Sequence, residues 1–103
     1  TVEYVGFDKR TTEAARKELV EAAISRVPAL KYAEVERHWA GLRPGSPDGI
    51  PFIGPHPEIQ GLFVNTGHFR NGVIMGLASA QLAANLMLGQ EPVVDPEPYL
   101  LKP

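Results

Sequence analysis

Cysteine is absent from this chain, and that removes disulfide staples, thiolate nucleophiles, zinc–thiolate centres and any thioether link to a prosthetic group through its own residues. Excess positive charge is missing too. Ten Lys and Arg stand against twelve Asp and Glu, a formal net charge of −2, and no basic run interrupts the balance, so nothing draws these residues to nucleic acid or anionic lipid. No apolar stretch reaches bilayer length: the longest, Val73 to Leu88, is broken by Ser79, Gln81 and Asn85 and reads as a buried helix of a soluble chain. No secretory leader opens the sequence at Thr1, and a cytoplasmic location is expected. Repeats and low-complexity segments are lacking as well. The chain instead opens inside an alternating run, Thr1 to Phe7, whose strand partners are expected outside these residues, leaving an exposed edge through which the isolated chain would self-associate.

What is present is an ordinary globular composition. With 103 residues, 44% of them hydrophobic and 21% charged, one small domain around one core is expected. Ten prolines gather mainly between Pro44 and Pro57 and after Gly89, which marks those stretches as loops. Thr12 is placed to cap a helix over Glu13 to Val27, where Ala15, Leu19, Val20, Ala23, Ile24 and Val27 recur at three- and four-residue spacing and predict one buried stripe. Pro28 ends it. Tyr32 to Leu42 alternates and predicts a second strand, broken at Gly41. Turn chemistry follows in Pro44-Gly45 and Pro47-Asp48-Gly49, then a short extended piece from Ile50 to Gly54. Leu62 to Asn65 predicts a buried strand and Val73 to Leu88 a helix closed by Gly89. The tail after it is expected to be extended or loosely packed.

The pattern turns on the hinge between that strand and that helix, Gly67-His68-Phe69-Arg70-Asn71-Gly72. A strand feeding a helix through such a hinge presents free N–H groups where the positive end of the helix dipole lies. The Gly67-x4-Gly72 spacing is not a phosphate loop, because Val73 and Ile74 stand where Lys and Ser/Thr would be required, and no GxGxxG is present. Two readings stay open: a plain helix start, or a seat for an anionic or electron-rich group flanked by His68, Arg70 and Asn71. Arg70 favours the second, since a cation at a helix N-terminus opposes the dipole by a few tenths to about 1 kcal/mol. Arg43, held between Gly41 and Pro44 after Trp39, is suited to fork-like binding of a carboxylate, against the plainer alternative of a solvated loop arginine. The histidines His38, His56 and His68 have no metal-ligand spacing. Asp48 is a turn residue, and Ser46 and Ser79 lack any nucleophile signature.

Taken together, WAGLRPGSPDGIPFIGPHP followed by GLFVNTGHFRNGVIMGLASAQLAANLMLGQ resembles the C-terminal part of the FAD-dependent oxidases of the D-amino-acid oxidase family. Within it the likeness is greatest to the glycine oxidases of thiamine biosynthesis, where GLRPG, Pro-Asp-Gly-x-Pro-x-Ile-Gly and GHxRNG occur in the same order. The resemblance covers essentially the whole chain and implies an α+β fragment of a two-domain flavoprotein. Residues 1–42 would be the end of the substrate-binding domain (strand, helix, strand). Residues 43–103 would be the loop, strand and helix returning to the FAD-binding domain, with the C-terminal tail. It further implies non-covalent FAD, whose ADP-binding part lies in an N-terminal region that this chain lacks and would need as its partner. Leu42, Arg43, His68, Phe69, Arg70, Asn71, Gly72 and Val73 would face the flavin, largely through backbone groups, and Arg43 and Arg70 the substrate. The implied reaction deaminates glycine or another small amino acid to an imine and oxoacid with hydrogen peroxide, needs no side-chain base, and is beyond the fragment alone. The competing expectation is a free-standing, non-catalytic binding or assembly module derived from such an oxidase.

Overall fold

A computed structural model describes residues 1–102, and the chain divides into two compact units, Thr1–Leu42 and Arg43–Pro103. The first is built on helix α1, Glu13–Arg26. Thr12 caps it as expected, its Oγ1 accepting from the Ala15 N–H at 3.2 Å, with Glu13 in the first turn and Arg26 in the last, both favourable to the dipole. Thr12→Ala is expected to cost about 1 kcal/mol, read as a lower urea midpoint for the loss of helical circular dichroism.

Pro28 opens a 3₁₀ turn, Pro28–Tyr32. The predicted buried stripe is not found: no residue of α1 is buried, because nothing in this unit covers Leu19 or Ala23. A groove of about 320 Å³ runs between α1 and the segment bearing Val35, Arg37, His38 and Trp39. Neither predicted strand of this unit forms. Thr1 to Phe7 holds a turn at Gly6, whose φ is +64°, closed by the Asp8 N–H on the Val5 carbonyl at 3.4 Å, and Tyr32 to Leu42 has no ladder. A strand is stable only against a partner, and the alternating pattern supplies a face but no neighbour. Beyond the turn, Arg10 grips Asp8 at 2.7 Å and holds that exposed carboxyl below its ordinary range.

The second unit is a helix laid on a hairpin. Strands β1, Phe52–Pro55, and β2, Phe63–Thr66, pair antiparallel, with Ile53 opposite Asn65 and Gly54 opposite Val64. Helix α2, Gly72–Leu88, ends on Gly89 in the left-handed conformation at φ +62°, the residue type that accepts it without strain. Ile53, Leu82 and Ala83 form the core, with Leu86 and Tyr99 packed against it. Tyr99 belongs to a 3₁₀ turn, Glu97–Tyr99, so the tail is docked rather than loose. It docks closely: at Gly54, φ +151°, an added Cβ would lie 2.7 Å from Leu100 Cδ2.

Helix α2 departs from the expected buried helix in one respect. Ser79, Leu82, Ala83 and Asn85 are buried, but on the opposite side Val73, Ile74 and Leu77 are 97, 86 and 89% exposed. An apolar surface all round a helix is the mark of one covered on every side, and these residues cover only one.

Candidate functional site

Strand β2 leaves the hairpin through Gly67, which is buried and has φ +84°. A Cβ there would fall 3.5 Å from Ser46 Cβ and 3.6 Å from Pro51 Cα. There is room for it, but the positive φ makes glycine the residue of choice. The next reversal is made without glycine. Phe69 has φ 51°, the sole non-glycine residue at positive φ among the described residues, and a bulky side chain held there carries a strain of about 1–3 kcal/mol.

Contacts with the loop before β1 fix this conformation. Gly45 and His68 form an isolated antiparallel bridge. The Phe69 N–H donates to the Pro44 carbonyl at 3.0 Å, and Arg43 Nη1 donates to the Phe69 carbonyl at 3.5 Å. Arg43 and the hinge, distant in sequence, are therefore brought together. Arg70 is exposed, its guanidinium 5.6 Å from the Phe69 ring centroid. Neither arginine forms an ion pair among the described residues.

The helix beyond has no side-chain cap. Asn71 occupies the N-cap position without a capping hydrogen bond, and the first intrahelical bond is from the Met75 N–H to the Asn71 carbonyl at 2.9 Å. The Gly72, Val73 and Ile74 amides thus have no acceptor among the described residues, which leaves the positive end of the dipole open. His68 turns its ring the other way, Nε2 lying 2.8 Å from Ser79 Oγ. Leu42 is the last residue of the first unit and adjoins Arg43 in sequence.

The remaining candidates are separate from this cluster. His56 Nδ1 accepts the Glu58 N–H at 3.2 Å within a turn, the Gly49 N–H closes the turn around Asp48 onto the Ser46 carbonyl at 3.3 Å, and His38 lines the groove of the first unit. No group of three or more possible metal ligands occurs among the described residues, and none of their helices is long and apolar enough to cross a membrane. Sequence reasoning missed Ser79, visible only as a polar interruption in an apolar helix, and the buried Ser46 hydroxyl, which has no hydrogen-bond partner among the described residues.

Among the described residues, Arg43 and Arg70, neither in an ion pair, and a row of open amides at the start of α2 lie about the hinge of this α+β scaffold, a donor set of the class that suits anionic or electron-rich groups. The comparisons make that class particular. The family model for FAD dependent oxidoreductases matches residues 1–86, and the chain belongs to that family, the D-amino-acid oxidase family. It is 52% identical over 99 residues to glycine oxidase of Pseudomonas aeruginosa, a match covering 96% of this chain and 27% of that protein. The crystal structure of glycine oxidase from Geobacillus kaustophilus superposes with a TM-score of 0.81 at 38% identity, over 93% of this chain and 26% of that one. Iminodiacetate oxidase from Chelativorans sp. BNC1 gives a TM-score of 0.82 at 29% identity, with the same shares covered. The chain therefore spans about a quarter of the length of the relatives it matches. The site's donor set fits FAD, because the uncapped amides and free cations can meet the electron-rich edge of a flavin ring.

Proposed function

We propose that this chain is the C-terminal part of an FAD-dependent oxidase that deaminates glycine or another small amino acid, yielding the oxoacid, ammonia and hydrogen peroxide. The observation that carries this reading is the tie between Arg43 and the Phe69 carbonyl at the head of an uncapped α2. One short piece of structure thereby offers a carboxylate fork beside a row of N–H donors. FAD, when bound, supplies the two-electron chemistry by which the substrate α-carbon is oxidised and oxygen reduced. The chain's own residues orient. Arg43, seconded by Arg70, holds the carboxylate, and the hinge from His68 to Val73 faces the flavin, its open Gly72 and Val73 amides serving as the donors. In this reading the oxidation runs through the cofactor, and these residues are assigned no general base.

FAD is held non-covalently in this reading, and the lack of cysteine removes a thioether link through these residues. The rest of the polypeptide supplies the ADP-binding part and covers Val73, Ile74 and Leu77, while residues 1–42 close the substrate-binding domain. The enzyme acts in the cytoplasm and serves thiamine biosynthesis, readings supported by the resemblance to glycine oxidases.

The test compares the full-length polypeptide with the 103-residue chain, each offered FAD and then glycine, sarcosine, proline and D-alanine. Flavin absorbance and peroxide are expected from the first and neither from the second. Full-length protein without flavin refutes the oxidase reading; turnover by the short chain refutes the claim that it is incompetent alone.

A further inference from the structure

Ser79 places a hydroxyl in an apolar helix at 3% exposure, where lost hydration has to be replaced by a hydrogen bond. Its partner comes from the hinge: His68 Nε2, eleven residues earlier, at 2.8 Å. His68 is consequently held at two points. Its backbone pairs with Gly45, and its ring is fastened to a turn of α2 that is itself packed on the core.

The residue that follows is Phe69, whose φ of 51° persists only where the surroundings over-determine it. Releasing the ring of His68 removes one of those constraints. As Phe69 relaxes, its N–H moves off the Pro44 carbonyl and its carbonyl moves off Arg43, so the fork and the open amides lose their common reference.

We propose that the His68–Ser79 hydrogen bond positions the oxidase site: Ser79 is a positioning residue that acts through the His68 ring and the strained Phe69 on Arg43 and on the first turn of α2. The proposal rests on the oxidase reading above. Ser79 itself is buried in α2 and needs no contact with substrate or flavin.

The experiment uses the full-length oxidase. Ser79→Ala removes the hydroxyl with little change of volume. The dissociation constant for FAD, titrated into the flavin-free protein by fluorescence quenching, is expected to rise about tenfold, and the Michaelis constant for the amino acid by a similar factor, with a smaller change in kcat. The size is that of one net hydrogen bond. Ser79→Thr, which keeps the hydroxyl, is expected to restore both constants. Adding Ser79→Ala to His68→Leu is expected to do no further harm, because the two side chains act as a unit.

A purely structural bond would lower the melting temperature of Ser79→Ala and leave both constants in place, and that result overturns the proposal. So does a double variant whose losses simply add. Wild-type protein that takes up no flavin is a separate outcome: it refutes the oxidase reading first and this proposal with it.

Discussion

Arg43→Ala in the full-length oxidase is expected to raise the Michaelis constant for an amino-acid substrate about ten- to a hundredfold while flavin occupancy stays close to that of the wild type. The size follows from losing a charge-assisted bond worth about 1.5–3 kcal/mol. The selectivity follows from the geometry. Arg43 touches the hinge through one long contact, 3.5 Å to the Phe69 carbonyl, whereas the hinge is also held by the Phe69 N–H on Pro44 at 3.0 Å and by the Gly45 bridge. Removing the guanidinium therefore spoils the fork more than the amides. Arg43→Lys should recover only part of the loss, since an ammonium cannot offer two parallel donors. Steady-state kinetics with glycine, set beside the flavin-to-protein absorbance ratio, decides the matter. An unchanged Michaelis constant would take the carboxylate role away from Arg43.

Leu82→Ala is expected to have the largest effect on stability, about 2–5 kcal/mol. The core of the second unit is small: Ile53, Leu82 and Ala83, with Leu86 and Tyr99 against them. Leu82 is 2% exposed and, with Ile53, the largest fully buried side chain. A small domain commonly has a net stability of about 5–15 kcal/mol, so the loss is a substantial share of the whole. Urea titration by circular dichroism should show the midpoint falling at nearly constant slope. A shift corresponding to less than about 0.5 kcal/mol, the range of ordinary surface substitutions, would mean that the helix is not held by this contact.

What could be read from the sequence was what is decided locally. Thr12 as a cap, Pro28 as a stop, Gly89 as a left-handed terminus and the two helices each depend on a few adjacent residues, and the structure has them. The two extended segments were legible within two residues, but neither their pairing nor the exposure of the second was. The buried strand expected at Leu62 to Asn65 is Phe63–Thr66, half-buried at Phe63 and Val64 and exposed at Asn65 and Thr66, and the extended piece from Ile50 to Gly54 is Phe52–Pro55.

What failed depended on distant partners. Thr1 to Phe7 and Tyr32 to Leu42 carry strand alternation but no ladder among the described residues, and the stripe on α1 has nothing to bury it. At the site, the hinge and Arg43 stood out by composition, but their juxtaposition did not, because it depends on Phe69 adopting a conformation that nothing in its neighbours announces. The Ser79 bond to His68 was equally hidden, since its geometry exists only once α2 and the hinge are both in place.

Phe69 also bears on any attempt to make the protein heat-tolerant. Replacing a residue at positive φ with glycine is a routine stabilising move, and relief of strain is a known way in which stability is gained while activity is lost. Here the strained carbonyl is the one that Arg43 holds. Design screens that rank variants by melting temperature alone would favour Phe69→Gly and so select for a slacker substrate fork; they should score substrate affinity alongside heat resistance.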